Sequence, residues 1–200
     1  MNYPSAAGGL KIMFLAQILT IVSAVIIVVG AVLSAVTFGL LAILVVLGSL
    51  VLMAAGILEI WGLYKASADD EGYRGALLFA VVSVVLGIVV NLIAKDGSIL
   101  KSLASIVQTV LGFLVVNAVC QTTSNLLHSM GKEALAERGN TVSKLYFICT
   151  VISVVCTLVG AIPIVNILAN LAGFVGGVIT IVGYVLYLGF LSSGGTALEY

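Results

Sequence analysis

Residues 12–58 read IMFLAQILTIVSAVIIVVGAVLSAVTFGLLAILVVLGSLVLMAAGIL, 47 consecutive positions without one ionisable side chain. A helix rising about 1.5 Å per residue crosses a hydrocarbon core in about 20 apolar residues. The run therefore holds two crossings and a reversal. It also far exceeds the ~7–15 apolar residues of a signal peptide, so the segment opening at Lys11 reads as an uncleaved first transmembrane helix.

The same measure applies to the rest of the chain. Uncharged runs at 75–94 and 102–127 hold one crossing each, and 145–198 holds two. The total is six, with spans expected at 11–32, 39–64, 75–94, 101–127, 144–162 and 164–191. Gly30 and Gly39 bracket the first internal reversal. Pro163, in GAIPIVN, marks the last, because proline has no N–H to donate to a helix. Strand-like alternation is absent, and helices satisfy all their backbone groups internally, as hydrocarbon requires. The fold class is an all-α integral membrane protein.

Composition agrees. The chain is 62% hydrophobic and 8% charged, with no net charge; a soluble domain carries roughly a quarter charged residues. The few cations are scattered, which excludes the basic face of a nucleic-acid binder. Cys120, Cys149 and Cys156 lie in apolar stretches, odd in number and without zinc spacing, and read as small packing residues. Lys11, Lys65, Arg74, Lys132, Arg138 and Lys144 fall on one side of the predicted spans, and Lys95 and Lys101 on the other. The positive-inside rule then places both termini in the cytoplasm.

The odd helices open alike. KIMFLAQILTIV from Lys11, RGALLFAVVSVV from Arg74 and KLYFICTVISVV from Lys144 each start on a cation, with Phe14, Leu77 or Phe147 three residues on. A β-branched residue follows at the seventh step (Ile18, Val81, Val151). SMGKEALAE from Ser129 aligns with SSGGTALEY from Ser192 at an offset of 63, the separation of Lys11 from Arg74. A single transmembrane domain of three helical-hairpin repeats, at 11–67, 74–130 and 144–193, is expected.

Charge gathers in KASADDEGYRG (65–75) and HSMGKEALAERGNTVSK (128–144), read as the cytoplasmic joints between hairpins. The second is expected to be the largest element outside the membrane, with KEALAER helical on the surface. Asp69, Asp70 and Glu71 are adjacent and lack the alternating spacing of a calcium loop.

Glu59 is the one acid inside a predicted span. Buried membrane carboxylates are costly and are functional candidates by default. The competing reading makes it structural, reaching to headgroups or pairing with Lys65. His128 is the sole histidine, without companion ligands for a metal. Helix six aligns Asn166, Asn170, Gly173, Gly177, Thr180 and Tyr184 on one face, and Ala169, Gly173 and Gly177 form a small-xxx-small run for close helix packing. Helix four carries Asn117 and Gln121 along a polar side. No catalytic, phosphate-binding or cofactor motif is present.

GGLKIMFLAQILTIVSAVI (8–26) and GLYKASADDEGYRGAL (62–77) resemble a group of uncharacterised small multi-spanning membrane proteins of gut Firmicutes. The resemblance covers mainly the first half of the chain and implies a bacterial cytoplasmic membrane location without any implied chemistry. Size and span number are also similar to the substrate-binding subunits of energy-coupling-factor transporters, though none of that family's motifs is present. Three functional readings stand, of which an intramembrane enzyme, without any recognisable catalytic constellation, ranks last. The first is a non-enzymatic membrane protein, with the lipid bilayer around it, that packs with itself or with a partner membrane protein through its small-residue faces. The second is a small-solute transporter, or a subunit of one, with Glu59, Asn117, Gln121, Asn166 and Asn170 as candidate pathway residues.

Overall fold

The computed structural model describes residues 3–36, 42–93, 99–160 and 166–199, with backbone alone at 99, 159, 160 and 166–179. Among the described residues there are six helices and no strand: α1 (Pro4–Val36), α2 (Ala42–Ala66), α3 (Gly72–Ile93), α4 (Ile99–Ser129), α5 (Glu133–Gly160) and α6 (Asn166–Ala197). All six are long and apolar enough to cross a membrane.

Their burial pattern is that of a protein solvated by lipid. In α1 the buried positions are mostly small or polar, among them Ala6, Ala7, Gly9, Ala16, Gln17, Ser23 and Gly30. Large aliphatics such as Val25, Val28 and Val32 point outward. Hydrocarbon solvates a valine as well as a protein interior does. Small residues therefore take the contacts where backbones must approach, and large ones face the lipid.

Each helix packs on the next in sequence, and α6 closes the ring against α1. The tightest pairing, α1 with α2, is a glycine seam. A Cβ on Gly9 would meet the Gly62 carbonyl at 2.5 Å, and one on Gly30 would meet the Leu44 Cβ at 2.8 Å. Ser23 donates its hydroxyl to the Gly48 carbonyl at 2.7 Å within the same seam. The α2–α3 pairing is the slightest of the sequential ones.

Both described chain ends lie at one end of the bundle, where the Tyr3 N–H donates to the Leu198 carbonyl at 3.1 Å. Lys11 pairs there with Glu199 at 2.6 Å. Two helix starts differ from expectation. The first helix begins at Pro4 instead of residue 11, with proline at a position where its missing N–H costs nothing. Asp69 crosses from the α2–α3 joint to accept the Ala6 N–H at 2.8 Å, capping that helix from outside its own sequence.

The second correction concerns 128–144. The expected extramembrane loop is a turn at 130–132, and KEALAER belongs to the first turns of α5. Gly131 has φ of 71°. Its N–H reaches the His128 carbonyl at 2.9 Å while Lys132 N–H reaches Leu127 at 2.9 Å, the paired bonds of a Schellman cap. Ala136 and Val142 are then buried, and Ser124 of α4 donates to the Ala136 carbonyl at 2.9 Å. A segment read as solvated is thus half of a helix–helix interface. The aligned segments 129–132 and 192–195 differ in backbone: the first closes this turn, whereas the second lies within α6.

Candidate functional site

Glu59 lies on the wall of a cavity of about 290 Å³ inside the ring. Every helix except α3 contributes: Gln17 from α1, Glu59 from α2, Thr109, Gly112 and Val116 from α4, Tyr146, Thr150 and Ser153 from α5, and Thr180 and Tyr184 from α6. A second chamber of about 140 Å³, reaching Ala80 and Ser83 of α3, shares Glu59 and Gly112 with the first. The carboxyl therefore stands between two spaces within the bundle. The larger lies at the low end of the roughly 300–1,000 Å³ typical of small-ligand pockets.

A polar chain runs across three helices to reach Glu59. The Tyr184 hydroxyl of α6 donates to the side-chain carbonyl of Gln17 and lies 3.0 Å from that residue's backbone carbonyl. With its oxygen engaged, Gln17 turns its amide outward, and Nε2 donates to Glu59 Oε1 at 3.1 Å. The orientation follows from the inventory of the groups: a phenol supplies one proton, the carboxamide takes it on oxygen, and its NH₂ meets the acceptor-only carboxylate. Gln17 is buried at 8% exposure, so its carboxamide depends on these partners. Tyr146 packs edge-on against Tyr187, ring centroids 5.6 Å apart, and closes the wall between α5 and α6.

The expected pairing of Glu59 with Lys65 is absent. Six residues of helix turn through about 600°, and only positions three or four apart face each other. Lys65 instead lies over α1, its Nζ 2.6 Å from where a Cβ on Gly8 would stand. Among the described residues no cation lies within ion-pair distance of Glu59.

The other candidates fall elsewhere. Asn117 Oδ1 accepts from Ser143 of α5 at 2.5 Å and from Gln121 Nε2 at 3.1 Å. Asn117 thus clasps α4 to α5, and Gln121 steadies it from one turn away on α4. The side chains of Asn166, Asn170, Ala169, Gly173 and Gly177 lie outside the described residues. His128 is exposed at the end of α4, and among the described residues no three potential ligands gather for a metal.

Gln17 is the member of this candidate site that the sequence reading passed over. A signal was present: it is the one carboxamide in the 47 uncharged residues of 12–58. Chemically, the site offers one carboxylate whose Oε2 has no hydrogen-bond partner among the described residues, surrounded by hydroxyls and aromatic faces. That set suits a small solute bearing a positive charge or several N–H donors. No family model, curated protein or solved structure matches the chain, so its function is read from its own geometry.

Proposed function

We propose that this protein is a non-enzymatic polytopic protein of the bacterial cytoplasmic membrane that binds a small cationic or amine-bearing solute inside its helical ring and acts as a transporter or as the membrane subunit of one. The observation that carries this reading is the placement of Glu59: a carboxyl in the bundle interior, oriented by Gln17, with no described cation to balance it. A charge kept at membrane depth is costly unless something is gained from it. A solute that supplies the missing counter-charge supplies that gain.

The orientation that goes with it is both termini in the cytoplasm. Lys11, Lys65, Arg74 and Lys132 lie toward the end of the bundle where the chain ends meet, and cytoplasmic loops carry the excess of Lys and Arg.

The test is uptake into proteoliposomes of a panel of radiolabelled small amines and amino acids, with wild type, Glu59→Gln and Gln17→Leu. At least one cationic solute is expected to accumulate. Glu59→Gln should reduce its uptake at least tenfold, because a neutral amide keeps the shape but loses the charge. Gln17→Leu should act more weakly, since the carboxyl survives without its guide. A panel in which no solute is sensitive to Glu59→Gln, with the variant still monodisperse in detergent, would sink the proposal.

A further inference from the structure

The slight α2–α3 packing leaves a groove of about 850 Å³ on the outside of the ring, separate from the interior cavity. We propose that this groove binds one anionic glycerophospholipid, its phosphate held by Lys65 and Arg74 and its acyl chains lying along Trp61, Leu78 and Val82.

The layering of the groove follows from helix periodicity. Trp61 and Lys65 are four residues apart and share a face of α2, and Arg74, Leu78 and Val82 repeat at the same spacing on α3. The two helices run in opposite directions from their joint at 67–71, so Lys65 and Arg74 meet at the charged end of the bundle. Trp61 and Leu78 come next, and Val82 lies deepest. A cationic mouth, an amphipathic aromatic ring and an aliphatic floor is the order in which a phospholipid presents phosphate, glycerol and acyl chain. Trp61 is 60% exposed and Leu78 61% exposed, so none of the described residues covers this face.

None of the acids beside the mouth lines the groove, whereas Lys65 and Arg74 both do. Asp69 accepts the Ala6 N–H at 2.8 Å, and Asp70 accepts the Gly72 N–H at 2.7 Å. Both carboxylates thus face the amino ends of helices, where negative charge is favoured. Glu71 reaches Arg74 at 3.4 Å, but it is 87% exposed. Such a pair in water holds little energy and yields readily to a phosphate at the headgroup boundary. Lys65 has no ion pair with any described acid. The two cations that line the groove therefore favour an anionic lipid over a zwitterionic one.

The protein carries its own probe, because Trp61 is its single tryptophan. The wild-type chain is reconstituted into phosphatidylcholine vesicles in which a small fraction of the lipid is replaced by brominated phosphatidylglycerol. A matched set carries the same fraction of brominated phosphatidylcholine. Trp61 fluorescence is expected to be quenched by the anionic lipid at roughly tenfold lower mole fraction, as two basic side chains at a membrane surface imply. Lys65→Gln combined with Arg74→Gln should bring the two quenching curves together, and Glu71→Gln should move them further apart. Superimposed curves for the wild type would overturn the proposal, and that comparison needs no variant to fold. Trp61 unquenched by either lipid would also overturn it, since a second copy or another membrane helix would then fill the groove.

Discussion

At the end where the chain termini meet, the helices are knit by groups that name their partners. Tyr73 of α3 and Thr123 of α4 share a hydrogen bond of 2.8 Å. Asp69 caps α1, Ser124 holds α5, and Lys132 donates to the Ala197 carbonyl. Leu10, Leu63, Tyr73, Leu127 and Leu198 are fully buried among them. Toward the far end of the ring, side chains turn outward: Val36 is 72% exposed, Leu92 80% and Ile93 71%. What joins helices there, among the described residues, is chiefly the α1–α2 glycine seam. The interior cavity opens where the knit layer gives way to the lipid-facing half. A membrane bundle gains nothing from burying valine away from lipid, so helix order is set where polar bonds and close backbone contact can act.

The contrast makes graded predictions, each measured as unfolding of the purified protein in mixed detergent. Gly9→Leu should have the largest effect, about 3 kcal/mol or more, because its side chain meets the Gly62 carbonyl and the Ala66 backbone with nowhere to move. Near-normal stability for this variant would mean that the seam is not the α1–α2 contact. Leu127→Ala, deep in the knit layer, should cost about 2 kcal/mol through the void it leaves. Tyr73→Phe should cost about 1 kcal/mol, the usual worth of one interhelical hydrogen bond in a membrane protein. Leu92→Ala, on the lipid face, should stay within about 0.5 kcal/mol of wild type. If Leu92→Ala proves as damaging as Leu127→Ala, the far half is packed against something besides lipid, and the comparison of the two ends fails.

Much of this architecture was legible in uncharged run lengths. The 47-residue run at 12–58 foretold α1 and α2, and the run at 145–198 foretold α5 and α6, while the expected reversals at Gly39 and Pro163 lie outside the described residues. Less legible were the helix starts. Pro4 begins α1 before the expected start at residue 11, with Asp69 as its cap, and the helix expected in KEALAER runs on unbroken into the fifth span after the Schellman turn at Gly131. The site was legible only at Glu59. Helices that are apolar all round carry no stripe to reveal which face meets which neighbour. Asn117 and Gln121 therefore looked suited to a pathway, although Asn117 bonds α4 to α5 and Gln121 bonds Asn117.

By itself the sequence determined the membrane class, the number of crossings and the end of the bundle that gathers charge, because bilayer thickness and the cost of desolvating an ion depend on composition along a line. The tertiary structure alone decided that Glu59 faces inward to Gln17 and away from Lys65, that glycines seal α1 to α2, and that α2 and α3 part to leave a groove. Those outcomes depend on how each helix is rotated about its axis, and rotation is settled by contacts between residues far apart in the chain.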